Sequence, residues 1–203
     1  MAVLGMADPS FDGPSLTSSP SMQRLETRLD GLVLLEPKVH GDARGFFVET
    51  FRADVAAQYG IPVEYVQDNH SRSRRGTLRG IHFQTHPGQG KLVRVARGVV
   101  WDVVVDLRRS SPTFGQWEGV RLDDESGRML WIPVGFGHGF LVLSEVADFV
   151  YKCTNYYDPA TEAGIRFDDP DVGIEWPADV ELLYSERDRT APTLSDMADS
   201  LPF

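Results

Sequence analysis

The stretch Val99-Val100-Trp101-Asp102-Val103-Val104-Val105-Asp106-Leu107 alternates with a period of two, and that period decides the fold class. Successive side chains of a strand point to opposite faces. Val99, Trp101, Val103, Val105 and Leu107 therefore share one face, and Val100, Asp102, Val104 and Asp106 share the other. Further strands are expected over residues 32–35, 45–50, 116–122, 129–133, 139–143 and 147–154. Turn clusters such as Asp123-Asp124-Glu125-Ser126-Gly127 separate them, and Gly41-Asp42-Ala43-Arg44 leads into the second. One short helix is expected where Phe51, Val55 and Tyr59 recur at helical spacing, with Gly60 as its stop. Many short strands with little helix predict an all-β domain, a jelly-roll barrel.

The chain has 203 residues, enough for one domain with a sizeable core. Hydrophobic residues make up 41% and charged residues 25%, the balance of a soluble globular protein. A formal net charge of −10 argues against a binder of nucleic-acid backbone, but leaves room for a local cationic pocket. No apolar run approaches the roughly 20 residues of a membrane span. The single cysteine, Cys153, allows no intrachain disulfide. The first residues lack the basic start and apolar stretch of a secretory signal, so a reducing cytoplasm is the expected location. Residues 1–21 read as an extension or vector-derived segment, residues 22–186 as the domain, and residues 187–203 as a polar tail lying across the surface or a partner.

Polar residues on apolar strand faces are the chemical candidates. Asp102 sits between Val100 and Val104, where an ionised carboxylate costs several kcal/mol unless paired. Tyr151 shares a face with Phe149 and Cys153, and His138 with Phe140 and Val142. Such side chains point into a barrel, where small molecules bind. Arg79 and His82 lie close together ahead of Lys91; a histidine held near a lysine serves as a neutral base. Taken singly, each of these residues has an ordinary structural reading. A metal is poorly supported: Gln84 stands two residues after His82, and the five histidines are scattered apart from His82 and His86.

Several blocks follow one another in order: Arg44-Gly45-Phe46-Phe47-Val48-Glu49, Gln67-Asp68-Asn69-His70-Ser71, Leu78-Arg79-Gly80-Ile81-His82-Phe83, Lys91 and Trp101 through Arg108. Gly135 through Phe140, Tyr151 through Tyr157, and Asp169-Pro170 ahead of Gly173-Ile174-Glu175-Trp176-Pro177 complete the series. Together they resemble the dTDP-4-dehydrorhamnose 3,5-epimerase family, of the cupin-type jelly-roll class. The resemblance implies inversion of C3 and C5 of dTDP-4-keto-6-deoxy-D-glucose, with no metal or organic cofactor, by a homodimer. It implies His82 as the base, Asp169 as its carboxylate partner, Asp102 as a further aspartate nearby, Tyr151 as the acid and Lys91 as the cation on the enolate oxygen. It implies substrate contacts at Arg44, Glu49, Gln67, Asn69, Arg79, His138 and Glu162, and stacking of Tyr157 on thymine.

The chemistry requires those residue types. Both carbons flank the C4 ketone, and a carbon acid of that kind is too weak for a histidine alone. A cation aimed at the developing oxyanion supplies about 3–4 kcal/mol, and inversion needs an acid across the ring from the base. Two other readings remain open: a 3-epimerase of an antibiotic-sugar pathway, and a non-catalytic sugar- or metal-binding barrel.

Overall fold

Alternation along the chain builds strand after strand, in a computed structural model that describes residues 21–203. The expected extension at 1–21 therefore lies outside the described residues except for Ser21. First come β1 (Met22–Leu25), β2 (Val33–Pro37), a hairpin of β3 (Val39–Asp42) and β4 (Gly45–Val48), and helix α1 (Ala53–Gln58). Then follow β5 (Gln67–Arg74), β6 (Leu78–Gln84), β7 (Lys91–Arg97), β8 (Val99–Asp106) and β9 (Trp117–Asp123). The last strands are β10 (Met129–Ile132), β11 (Phe136–Val142), β12 (Val146–Cys153) and β13 (Glu162–Gly164), before helices α2 (Glu186–Arg189) and α3 (Leu194–Met197).

Two antiparallel sheets face each other. One has the order β1-β2-β10-β7-β12-β5 and the other β13-β6-β11-β8-β9. Their inner faces meet in a core where Val93, Val95 and Phe149 of the first pack against Val100, Val104 and Phe140 of the second. The alternation of β8 thus serves two layers. Val103, Val105 and Leu107 face outward, but they are buried with Ile81 and Phe83 in a second cluster. Covering them are Ile165, Val172, Leu194 and Leu201.

The tail at residues 187–203 lies across the surface of its own chain, where Leu194 is 6% and Leu201 1% exposed. Burying each such leucine contributes about 1.5–3 kcal/mol. The outer face of the six-stranded sheet is covered in a similar way, with Ala56 of α1 and Ile61 over Leu92 and Trp131. Strands β5, β6 and β7 fall outside the expected set, and β5 carries no apolar residue at all; backbone pairing to β12 holds it in place. Among the described residues no helix is long and apolar enough to cross a membrane.

One close approach matters for the site. Gly80 has φ +134°, and a Cβ there would lie 2.5 Å from Gly139 Cα. Only glycine tolerates both the dihedral and the contact. The missing side chains let β6 and β11 close together beside His82 and His138, which are directly paired across the ladder.

Candidate active site

At one end of the sandwich the inner faces change from apolar to polar. His82 on β6 and His138 on β11 project from one sheet, and Lys91 on β7 and Tyr151 on β12 from the other. Two adjoining cavities, of about 620 and 230 Å³, share His82, Lys91, Tyr151, Tyr157 and Glu162 in their walls.

His82 does not meet Asp169. Its Nε2 lies 2.6 Å from Oδ1 of Asp188, at the start of the tail. The Ser185 hydroxyl donates to the other oxygen of Asp188 at 2.8 Å, and accepts from the Asp188 amide at 3.1 Å as the N-cap of α2. Burial pushes the Asp188 carboxyl up, but the hydrogen bonds from His82 and Ser185 outweigh it and hold the group below its ordinary range. An ionised Asp188 accepts the Nε2–H of the ring. That leaves the Nδ1 lone pair of His82 as the proton acceptor.

A second pair lies beside the first. His138 Nε2 is 2.9 Å from Oδ2 of Asp102, which is fully buried beneath the cavity. The other oxygen of Asp102 has no hydrogen-bond partner within the chain among the described residues. Burial raises the Asp102 carboxyl, opposed by His138 and by Lys91. Burial also pushes the Lys91 ammonium below its ordinary range, opposed by the negative charges of Glu162 and Asp102 among others. The Tyr151 phenol is raised, chiefly by burial, so it keeps its proton at neutral pH.

Around these groups runs a polar rim. Gln67 donates to Asn69 at 3.0 Å and accepts the Tyr157 amide at 2.8 Å. The Tyr157 hydroxyl donates to Glu162 at 2.6 Å, and Arg187 donates to the same carboxylate oxygen at 2.7 Å. Burial pushes Glu162 up, but these bonds outweigh it and keep the carboxyl below its ordinary range. Arg79 donates to Ser73 at 3.2 Å and lines the larger cavity. Its guanidinium and that of Arg187 leave the cavity wall with two forks suited to phosphate oxygens.

Three expected residues lie elsewhere. Asp169 is buried outside the cavity, where its oxygens accept the amides of Leu194 at 2.6 Å and Asp171 at 3.0 Å. Arg44 sits at the turn of the β3–β4 hairpin, 90% exposed and paired with Asp42. Glu49 accepts from Ser21 at 3.0 Å. Neither Arg44 nor Glu49 lines the cavities that hold His82. Conversely, Ser185, Arg187 and Asp188 reach the site from beyond or just inside the expected domain end. Their one legible signal was the Ser185-Glu186-Arg187-Asp188 spacing of an N-cap.

A family model described as dTDP-4-dehydrorhamnose 3,5-epimerase matches residues 26–196. The chain belongs to this family. It is 52% identical over 167 residues to the dTDP-4-dehydrorhamnose 3,5-epimerase of Methanothermobacter thermautotrophicus, covering 81% of this chain and 90% of that one. It superposes with a TM-score of 0.85 on the dTDP-6-deoxy-D-glucose-3,5-epimerase of Legionella pneumophila, solved in complex with dTDP-4-keto-L-rhamnose. That pair is 49% identical, with 89% of this chain and 96% of the other covered. The dTDP-4-dehydrorhamnose 3-epimerase of Streptomyces niveus is 44% identical over 174 residues, covering 85% and 84%. The cupin-like jelly roll is thus the fold of this family member, as its sequence predicted.

Proposed function

We propose that this protein is a dTDP-4-dehydro-6-deoxy-D-glucose 3,5-epimerase. The observation that carries the reading is the placing of His82 and Tyr151 on the two facing sheets, with Lys91 in the same wall as Tyr151. A sugar ring between the sheets has a base on one face and an acid on the other, the arrangement that inversion requires. His82 Nδ1 removes the proton from C3 or C5. The Lys91 ammonium stabilises the enolate oxygen that forms at C4. Tyr151 returns a proton to the opposite face. Asp188 fixes the His82 tautomer and stabilises the imidazolium. Arg79 and Arg187 suit the diphosphate, and Gln67, Asn69, His138, Tyr157 and Glu162 are placed to contact substrate.

The test is deuterium uptake from D₂O into dTDP-4-keto-6-deoxyglucose, followed by NMR. Uptake at both C3 and C5, with the L-configured product, is expected. No uptake at either carbon overturns the reading. Uptake at C3 alone selects the 3-epimerase reading, which the Streptomyces niveus relative keeps in view.

We further propose a homodimer in which the β3–β4 hairpin of one copy reaches the cavity of the other. Phe46 and Phe47 of that hairpin are 63% and 72% exposed, an apolar pair at a projecting turn. Arg44 stands beside them, remote from its own chain's His82 cavity, so a second copy is the route by which it would meet substrate. Sedimentation is expected to give twice the monomer mass at micromolar concentration. A monomer there would sink the idea. A free, buried Cys153 suits the reducing cytoplasm we assign to the protein, and cell fractionation checks that assignment.

A further inference from the structure

Asp169 poses a physical problem that its distance from His82 makes sharper. It is 1% exposed, and among the described residues no cation lies within salt-bridge distance of it. A carboxylate so placed is costly unless hydrogen bonds satisfy it. Both of its oxygens are satisfied by backbone amides, and one of these belongs to Leu194, 25 residues further along the chain.

What that bond holds in place is the part of the tail that reaches the site. The strap begins at a first clamp, where Leu183 exchanges backbone bonds with Leu78 and Gly76 at 2.8 Å each. It ends at a second, where Arg166 donates to the Pro192 carbonyl at 2.9 Å and Leu194 donates to Asp169 at 2.6 Å. Between the clamps lie Ser185, Arg187 and Asp188, the groups the tail brings to His82 and Glu162. The second clamp is itself tied to the strand of the base, since Ile165 exchanges bonds with Ile81 at 3.0 and 3.3 Å. Asp169 hydrogen-bonds this frame shut on the amide that opens α3, where the Leu194 side chain also packs with Ile81 and Phe83.

We infer that Asp169 is a positioning residue for the proton transfer: by holding the Leu194 amide it fixes the strap that carries Asp188 to His82. The inference rests on the epimerase reading above. Asp169 does not touch the base. It acts through Asp188, whose carboxylate must stay within hydrogen-bond reach of His82 Nε2 throughout the reaction.

A double-mutant cycle tests this, with deuterium uptake at saturating substrate as the rate. Saturation removes any change in binding that a displaced Arg187 causes. Asp169→Ala is expected to lower the rate about 10- to 100-fold, the cost of misplacing a catalytic group by about 1 Å. In the Asp188→Ala background the same change should lower it less than about 3-fold, because the partner it positions is already gone. A purely structural Asp169 would lower Tm in both backgrounds without coupling to Asp188. Equal rate losses in both backgrounds overturn the inference, and so does an undiminished rate in folded Asp169→Ala protein. Should the alanine variant fail to fold, Asp169→Asn, isosteric and keeping one acceptor oxygen, carries the same cycle with the same deciding outcome. A wild-type protein that takes up no deuterium refutes the epimerase reading instead, so the two failures are distinguishable.

Discussion

His82→Ala protein is expected to take up no measurable deuterium at C3 or C5, a loss of at least about 10⁴-fold, at the top of what a positioned base supplies. The size of the effect follows from His82 being the more open of the two cavity histidines, its side chain 29% exposed against 8% for His138. Nε2 of His82 is engaged by Asp188, so Nδ1 keeps the free lone pair. The neighbouring His138 is held by the buried Asp102 and is far less open to the cavity. The fold should survive the change. Asp188 keeps its bonds to Ser185, and leaving one of its oxygens unpaired costs about 1–3 kcal/mol. Thermal unfolding followed by circular dichroism separates that modest loss from the large kinetic one. Full exchange in folded His82→Ala protein would move the base elsewhere.

The difference between what the sequence made legible and what it hid is a matter of range. Alternation along β8 placed Asp102 on an inward face because period two is a local property. The same argument put Tyr151 with Phe149 on one face, and the two rings lie 6.0 Å apart. Pairing between strands is not local. That His82 stands opposite His138 depends on a register set by Gly80 and Gly139, and no periodicity in either strand reports it. Strand β5 was hidden for a different reason. Its alternating exposure runs through Gln67, Asn69 and Ser71, all polar, because one side lines the polar cavities.

Asp188 was hidden by its surroundings. The tail around it is polar and broken by prolines, and its apolar anchors Leu194 and Leu201 are too widely spaced to announce a packed segment. Asp169 and Asp188 are both buried aspartates, at 1% and 5% exposure. Family resemblance carried the partner's role to the first of them. Geometry gives it to the second, since a carboxylate orients an imidazole only within hydrogen-bond distance.

Lys91→Met should lower kcat by about 100- to 1000-fold, the usual cost of removing one donor to a developing oxyanion. KM should change far less, because the charge that the ammonium meets is largest in the transition state. The pH profile of the wild-type protein carries the same signature. In the role proposed for it Lys91 works only as the ammonium, so activity is expected to be lost as pH rises through its pKa. Burial places that pKa below the ordinary lysine value, with the negative charges of Glu162 and Asp102 opposing the fall. The alkaline limb of kcat is therefore expected below the ordinary lysine value of about 10.4. Tyr151 cannot be the source of such a limb, since burial moves its phenol up, away from neutral pH. In Lys91→Met protein the residual activity should lose this limb altogether. An unchanged kcat, or a limb that persists in the variant, would assign the enolate oxygen to a different partner.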